Sequence, residues 1–327
     1  MGRICKNTEH NSRQYNATLD IAKLFFALLV VAIHTEPFGF SFFLDKGLGI
    51  ITRLCVPFFF VTSSYLFFSK NGKLLKYIAR LSTLYFVWCL LYLPINFAII
   101  KEMSLPNMIV HYLWNGHDVL WYLLASIIGC LITYFLSKKI KPTTILLIGV
   151  LFLLVGCIKS TYVPLFRSLF SIDIPDFLGC RNGLFYGFPY YALGLFIAKQ
   201  DSVNSSNKLS NYVGFGVCLC LLVVESVFFI IVLKTTSTIL WLSVFPLTYY
   251  LLKILNDTNI PLSYNCSLIM RKTSTLVYTI HPFFLRLFNN YEYILYFLIV
   301  SAASVILSLL LVRLSNKRFF KWLQILS

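Results

Sequence analysis

The chain has 327 residues, of which 58% are hydrophobic and only 12% are charged. Soluble proteins normally carry about a quarter charged residues, so this composition excludes a soluble globular protein and predicts a polytopic membrane protein. The formal charge is +16, but the basic residues lie in short connections between apolar runs, where they set topology and contact membrane lipid, so we expect no nucleic-acid partner.

Ten apolar runs follow one another along the chain. A helix that crosses a bilayer needs about 20 mostly apolar residues, so the runs predict an all-α fold of about ten transmembrane helices. We expect one membrane domain, residues 1–327. In chain order the runs are 18–36, 49–68, 78–100, 118–136, 143–159, 183–198, 213–233, 239–255, 273–289 and 291–313.

The basic residues predict which side of the membrane the termini occupy. Ten crossings place both termini on one side, and that side receives 19 of the Lys and Arg residues, against 8 on the other. Because cytoplasmic loops carry the excess of positive charge, the tails 1–17 and 314–327 are predicted to be cytoplasmic. The expected location is the plasma or inner membrane, which the chain crosses many times.

The first run, LDIAKLFFALLVVAIHTEPF, contains Asp20, Lys23 and His34. At about 100° per residue, these residues and Ala27 fall within a stripe of roughly 60°, and Lys23 lies ~16 Å from His34 along the helix axis. A charge at depth in lipid costs at least ~2.5 kcal/mol, so this face predicts a bundle interior or a water-filled cavity. Two interpretations stay open. One is a snorkelling ion pair with a headgroup-facing histidine, and the other is a cavity with an imidazole suited to acid–base chemistry.

Later runs add candidate residues. Glu225 is an intramembrane carboxylate, which is a functional-site hypothesis by default. Trp121 fits either a packing aromatic or a substrate platform, and His281, before Pro282, fits either a kinked structural helix or a second cavity histidine. The nine cysteines are scattered without zinc-ligand spacing, so no metal site is expected.

Several segments resemble, in family order, the acyltransferase-3 family of integral membrane O-acyltransferases. The first helix of that family reads L-D-x-x-R, then an apolar run and His, with ten residues between Arg and His; LDIAKLFFALLVVAIH matches it with Lys23 at the Arg position. VPFFFVTSSYLFF resembles the second-helix V-P-x-F-F-x-x-S-G-Y-L, with Ser64 where Gly is usual. KLLKYIARLSTLYFVW, LWYL and STLVYTIHPFF resemble later motifs, so the resemblance spans the whole chain.

The resemblance implies a ten-helix enzyme that takes an acyl group, usually acetyl, from cytoplasmic acyl-CoA. It passes that group to a hydroxyl outside, commonly on an envelope polysaccharide. His34 and Lys23 are then the catalytic candidates, with Arg80 and His281 as further carried-over residues. Lys76 and Arg80 fit CoA-phosphate binding as well as they fit positive-inside anchoring.

A second class of function stays open. The family is also similar to the membrane part of membrane-bound serine racemases, for which amino-acid transport is the proposed role. The polar face of the first helix and Glu225 would then line the path of a small-molecule carrier or exporter without acyl chemistry. The sequence leaves the acceptor and the oligomeric state open.

Overall fold

The computed structural model describes residues 16–116, 118–171, 179–201, 207–235 and 239–327. The described residues form thirteen α-helices and include no β-strand, which confirms the predicted all-α class. Most of the predicted N-terminal tail lies outside them. The helices are α1 (Ala17–Thr35), α2 (Phe42–Thr52), α3 (Cys55–Ser69), α4 (Leu74–Lys101), α5 (Leu105–Val110), α6 (Trp121–Ser137), α7 (Pro142–Ile158), α8 (Val163–Phe170), α9 (Phe188–Gln200), α10 (Lys208–Val227), α11 (Val244–Asp257), α12 (Tyr264–Leu287) and α13 (Tyr293–Ser315).

All ten predicted runs coincide with helical residues, but fewer helices qualify as membrane spans. Among the described residues, six helices are long and apolar enough to cross a membrane, or seven if α7 and α8, bent by 77°, form one span. The remaining runs fall short because α9 and α11 have only 13 and 14 residues, and α12 is rich in polar residues. A multi-pass membrane protein is therefore supported, whereas ten spans and cytoplasmic termini stay predictions.

The chain divides into two units. The first comprises Met1–Asp45 and Lys253–Ile325 with Ser327, and the second comprises Lys46–Leu252 with Leu326. Helices α1, α12 and α13 belong to the first unit, and α3 to α10 belong to the second. The predicted single domain stays a prediction.

In the first unit, hydrogen bonds fix where α1 starts. The Asn16 side chain accepts from the Leu19 amide at 3.0 Å, which caps the helix. The Thr18 hydroxyl donates to the Thr258 carbonyl at 2.7 Å and accepts from the Ile260 amide at 3.2 Å. These bonds attach the start of α1 to the segment that precedes α12.

Helix α9 forms the centre of the second unit. Its side chains are buried on every side, including the large Tyr190, Tyr191 and Phe188. One side packs on α7 through a cluster that includes Ile145 and Ala192. A helix that is apolar all round is expected to be enclosed by other helices, which explains why this short helix has no lipid-facing stripe.

Helices α3 and α9 approach each other closely at Gly194. A Cβ atom at this position would lie 2.5 Å from the Ser64 Cβ and 2.6 Å from the Val61 carbonyl oxygen. The Ser64 hydroxyl donates to the Tyr191 carbonyl at 2.6 Å. Ser64 stands where Gly is usual in the resembled motif. The larger residue fits here because Gly194 faces it and because the Ser64 hydroxyl has a hydrogen-bond acceptor.

We expect Gly194→Ala to lower the free energy of unfolding by about 1–3 kcal/mol, since the new methyl group must push α3 and α9 apart. Thermal unfolding of the detergent-solubilised protein, followed by circular dichroism, measures the change. Gly216→Ala is the matched control, because a Cβ there meets nothing within 4 Å. A Gly194→Ala protein that unfolds at or above the wild-type temperature would contradict this contact.

Candidate active site

Helix α1 packs on α12 in parallel orientation. Asp20 contacts Ser267 near the start of both helices, and the ring of His34 contacts the ring of His281 near their ends. Both pairs are 247 positions apart in the chain, so the register holds over two heptads, as in helices that cross at a small left-handed angle. The predicted topology also sends these two runs across the membrane in the same direction.

Small residues occupy the middle of this shared face. Ala27 lies one heptad after Asp20, and Ser274 lies one heptad after Ser267; both are buried. The Ser274 hydroxyl donates to the Arg271 carbonyl of its own helix at 2.8 Å. The polar groups of the face are therefore concentrated at its two ends.

An ion pair occupies the first end of the face. One carboxylate oxygen of Asp20 accepts from the Ser267 hydroxyl at 2.6 Å, and the other lies 3.3 Å from the Lys23 ammonium. The side chains of Lys23 and Asp20 are only 13% and 5% exposed. An ion pair removed from water needs additional hydrogen bonds to offset its desolvation, and Ser267 provides one. This geometry favours a helix interface over a snorkelling pair.

Two imidazoles occupy the other end, with ring centroids 5.4 Å apart. His34 is exposed, whereas His281 is fully buried. The His281 Nδ1 atom lies 3.1 Å from the Val277 carbonyl oxygen; because a carbonyl only accepts, Nδ1 carries a proton, and in the neutral imidazole Nε2 then keeps its lone pair. Among the described residues this buried Nε2 atom has no hydrogen-bond partner. An accessible imidazole thus lies against a buried one that retains an acceptor nitrogen.

The other sequence-predicted residues lie in the second unit. Trp121 packs against Phe60 and Tyr186, with ring centroids 6.1 Å and 5.3 Å away, which favours the packing interpretation. Lys76 and Arg80 are exposed on the first turns of α4. They form a cationic surface one turn apart on the same side of the helix.

Glu225 is held by the protein itself. Its carboxylate accepts hydrogen bonds from the hydroxyls of Tyr162 and Ser243. It also accepts from the amides of Leu242 and Ser243, at 3.0 Å each. Those two amides directly precede α11, where the helix dipole favours a negative charge. Four donors on one carboxylate favour a structural anchor over a substrate-binding role.

Three residues that contact Asp20 or Glu225 were not among the candidates predicted from the sequence: Ser267, Tyr162 and Ser243. A signal for Ser267 was present, because Ser267 precedes His281 by the same spacing as Asp20 precedes His34. Tyr162 and Ser243 lie 63 and 18 positions from Glu225, and no local pattern joins them. Within the described ranges no group of three His, Cys, Asp or Glu side chains can hold a metal ion.

Comparisons with known proteins place this site in context. A family model described as an acyltransferase domain matches residues 16–313. The chain is 33% identical over 225 residues to an amino-acid racemase from Enterococcus faecalis, covering 62% of this chain and 30% of the relative. Another amino-acid racemase from that species is 27% identical over 91% of this chain and 46% of its own length.

A serine/alanine racemase from Enterococcus gallinarum is 26% identical over 65% of this chain and 33% of its own length. The chain therefore spans less than half the length of each of these relatives. No solved structure matches.

We expect Glu225→Gln to lower the free energy of unfolding by about 1.5–3 kcal/mol, because the amide replaces a charged acceptor and turns an NH₂ group toward donors. Tyr162→Phe should also lower the free energy of unfolding. The double variant should lose less than the sum of the two single variants, because both changes disrupt the same hydrogen bond between Tyr162 and Glu225. Denaturant unfolding measures all three. Ser226→Ala is the control, as its hydroxyl donates to Leu222 of its own helix. Strict additivity would show that Glu225 and Tyr162 are not coupled.

Proposed function

The chain belongs to the acyltransferase-3 family, and on that premise we propose that it is a membrane O-acyltransferase. Its donor would be cytoplasmic acyl-CoA, most simply acetyl-CoA, and its acceptor a hydroxyl of an extracytoplasmic glycan or envelope polysaccharide. The observation that carries this proposal is the pair of His34 and His281. It lies two heptads along the same helical face from Asp20, the carboxylate that holds the Lys23 ammonium.

The histidine pair supports acyl transfer in either of two routes. In the direct route, His34 takes the proton of the acceptor hydroxyl as its oxygen attacks the thioester carbonyl. The C–S bond breaks, and the CoA thiolate leaves and takes up a proton. In the two-step route, a nitrogen of His34 attacks the thioester and releases CoA, and the hydroxyl then attacks the acyl-imidazole. The lone pair on His281 Nε2 suits the proton from that hydroxyl.

Cations at two places support the donor part of the proposal. Lys76 and Arg80 are exposed at the start of α4, as expected of side chains that bind the phosphates of CoA. Lys23 is instead mostly buried and paired with Asp20. Lys23 lies ~16 Å from His34 along the axis of α1, so it does not reach the carbonyl that reacts at His34. We assign to Lys23 the binding of one phosphate of CoA, because a preorganised charge acts most strongly out of water.

An amino-acid carrier without acyl chemistry is the second candidate, and one observation favours it. The relatives that match are named racemases, and one aligns with 91% of this chain but only 46% of its own length. The names of these relatives specify amino acids, so an amino acid is the cargo that this alternative would give the chain. In this alternative the two histidines would line a path and would not react.

A strain that lacks the gene separates the two candidates. We expect mass spectrometry of its envelope glycans to show lost acyl groups, which wild type restores and His34→Ala does not, since general-base or nucleophilic loss costs about 10²–10⁴-fold. His111→Ala, a histidine outside the site, should restore acylation fully. Unchanged glycans together with altered uptake or release of radiolabelled serine or alanine would establish the carrier instead.

Ser267→Ala tests the positioning of Lys23 through Asp20. Removing the hydroxyl takes one of the hydrogen bonds from a buried carboxylate, and we expect KM for acyl-CoA to rise about tenfold with little change in kcat per folded molecule. Ser267→Thr, which keeps the hydroxyl, should restore KM. Ser274→Ala is the matched control one heptad away, because its hydroxyl bonds within its own helix. Equal KM for acyl-CoA in Ser267→Ala and Ser274→Ala would refute this role.

A further inference from the structure

The segment after α13 forms a 3₁₀ helix, Arg318–Leu326, which the proposed function does not use. A 3₁₀ helix has three residues per turn, so side chains three positions apart stand above one another and form three separate faces. The sequence RFFKWLQIL divides cleanly among these faces. Each face has its own chemistry and its own exposure.

The first face is apolar and exposed. It consists of Phe319, Trp322 and Ile325, which are 92%, 64% and 50% exposed. Two large aromatic side chains in such positions are unfavourable in water. Trp322 and Ile325 stand one turn apart after the kink at Phe320, so these two can contact the same surface at once, and Phe319 adds a further exposed aromatic side chain just before the kink.

The second face turns toward the protein. Leu323 and Leu326 are each only 8% exposed. Phe320, the first residue of this face, is 41% exposed, and its backbone departs from helical angles, with φ −109° and ψ 16°, so the covered side comprises only the residues after it. The segment therefore has one side that the fold covers and another that it leaves open.

The third face is polar and cationic. It carries Arg318, Lys321 and Gln324, all exposed, and exposed Lys317 and Arg313 precede it. The sequence contains no acidic residue from Tyr293 to the C-terminus. A cationic face beside an exposed aromatic face is the composition of helices that lie in the interface of an anionic membrane.

We propose that Arg318–Leu326 lies flat on the membrane surface at which α13 ends and binds anionic lipid. Phe319, Trp322 and Ile325 enter the boundary between headgroups and acyl chains. Arg318 and Lys321 contact the phosphate groups of the lipids. The segment thereby anchors the end of α13 at a fixed depth in the membrane.

Trp322 provides the test in the full chain. The protein is reconstituted in nanodiscs of phosphatidylcholine, with or without phosphatidylglycerol, with brominated acyl chains as quenchers. The signal of Trp322 is the difference between wild type and Trp322→Phe. We expect strong quenching that increases with phosphatidylglycerol and weakens with added salt. Each of Arg318→Gln and Lys321→Gln should lower affinity for the anionic surface about fivefold, reducing that increase.

The control removes equal charge elsewhere. Lys139→Gln and Lys141→Gln, exposed residues between α6 and α7, should leave Trp322 quenching unchanged. The proposal is overturned if iodide in the water quenches Trp322 while brominated lipid does not. It is also overturned if neither reaches Trp322, which would indicate a protein partner on this face, or if quenching is independent of phosphatidylglycerol.

Discussion

The structure of the first unit depends on the need to satisfy one buried carboxylate. Asp20 lies on the apolar helix α1 with its side chain 5% exposed, where an unpaired charge is strongly unfavourable. Ser267 and Lys23 provide its partners. Because Ser267 belongs to α12, this requirement fixes the register between the two helices. Two heptads further along, the same register brings His34 against His281. The pairing of the imidazoles is thus a geometric consequence of the hydrogen bond between Ser267 and Asp20.

In the second unit a carboxylate, Glu225, must also be satisfied by hydrogen bonds, and here the bonds join helices. Glu225 receives four hydrogen bonds from groups that are remote in sequence, and they attach α10 to the start of α11 and to Tyr162 at the bend between α7 and α8. A membrane interior lacks water to satisfy such groups, so each one must be placed by tertiary structure. Glu225 anchors helices, while Asp20 orients the Lys23 ammonium at one end of the face that α1 shares with α12.

The sequence predicts helices well and their roles less well. Runs of apolar residues are a local signal, so each predicted run coincides with a helix. Enclosure by other helices is a tertiary property. Hydropathy alone therefore does not distinguish the short helices α9 and α11 from membrane-spanning helices. The face of Asp20, Lys23 and His34 was predictable from helical spacing. Ser267 was accessible only through its matching spacing to His281, and the donors to Glu225 had no signal in the sequence.

Lys23 stands at the position where the resembled motif has arginine, and the structure gives that difference a physical meaning. An arginine presents a planar fork that can hold a carboxylate and still direct donors elsewhere, whereas an ammonium acts as a point charge. With Asp20 3.3 Å away and Ser267 on its other oxygen, the lysine charge is oriented by α12. The oriented charge at one end of the face and the imidazole pair at the other form the arrangement that the proposed acyl transfer requires of this site.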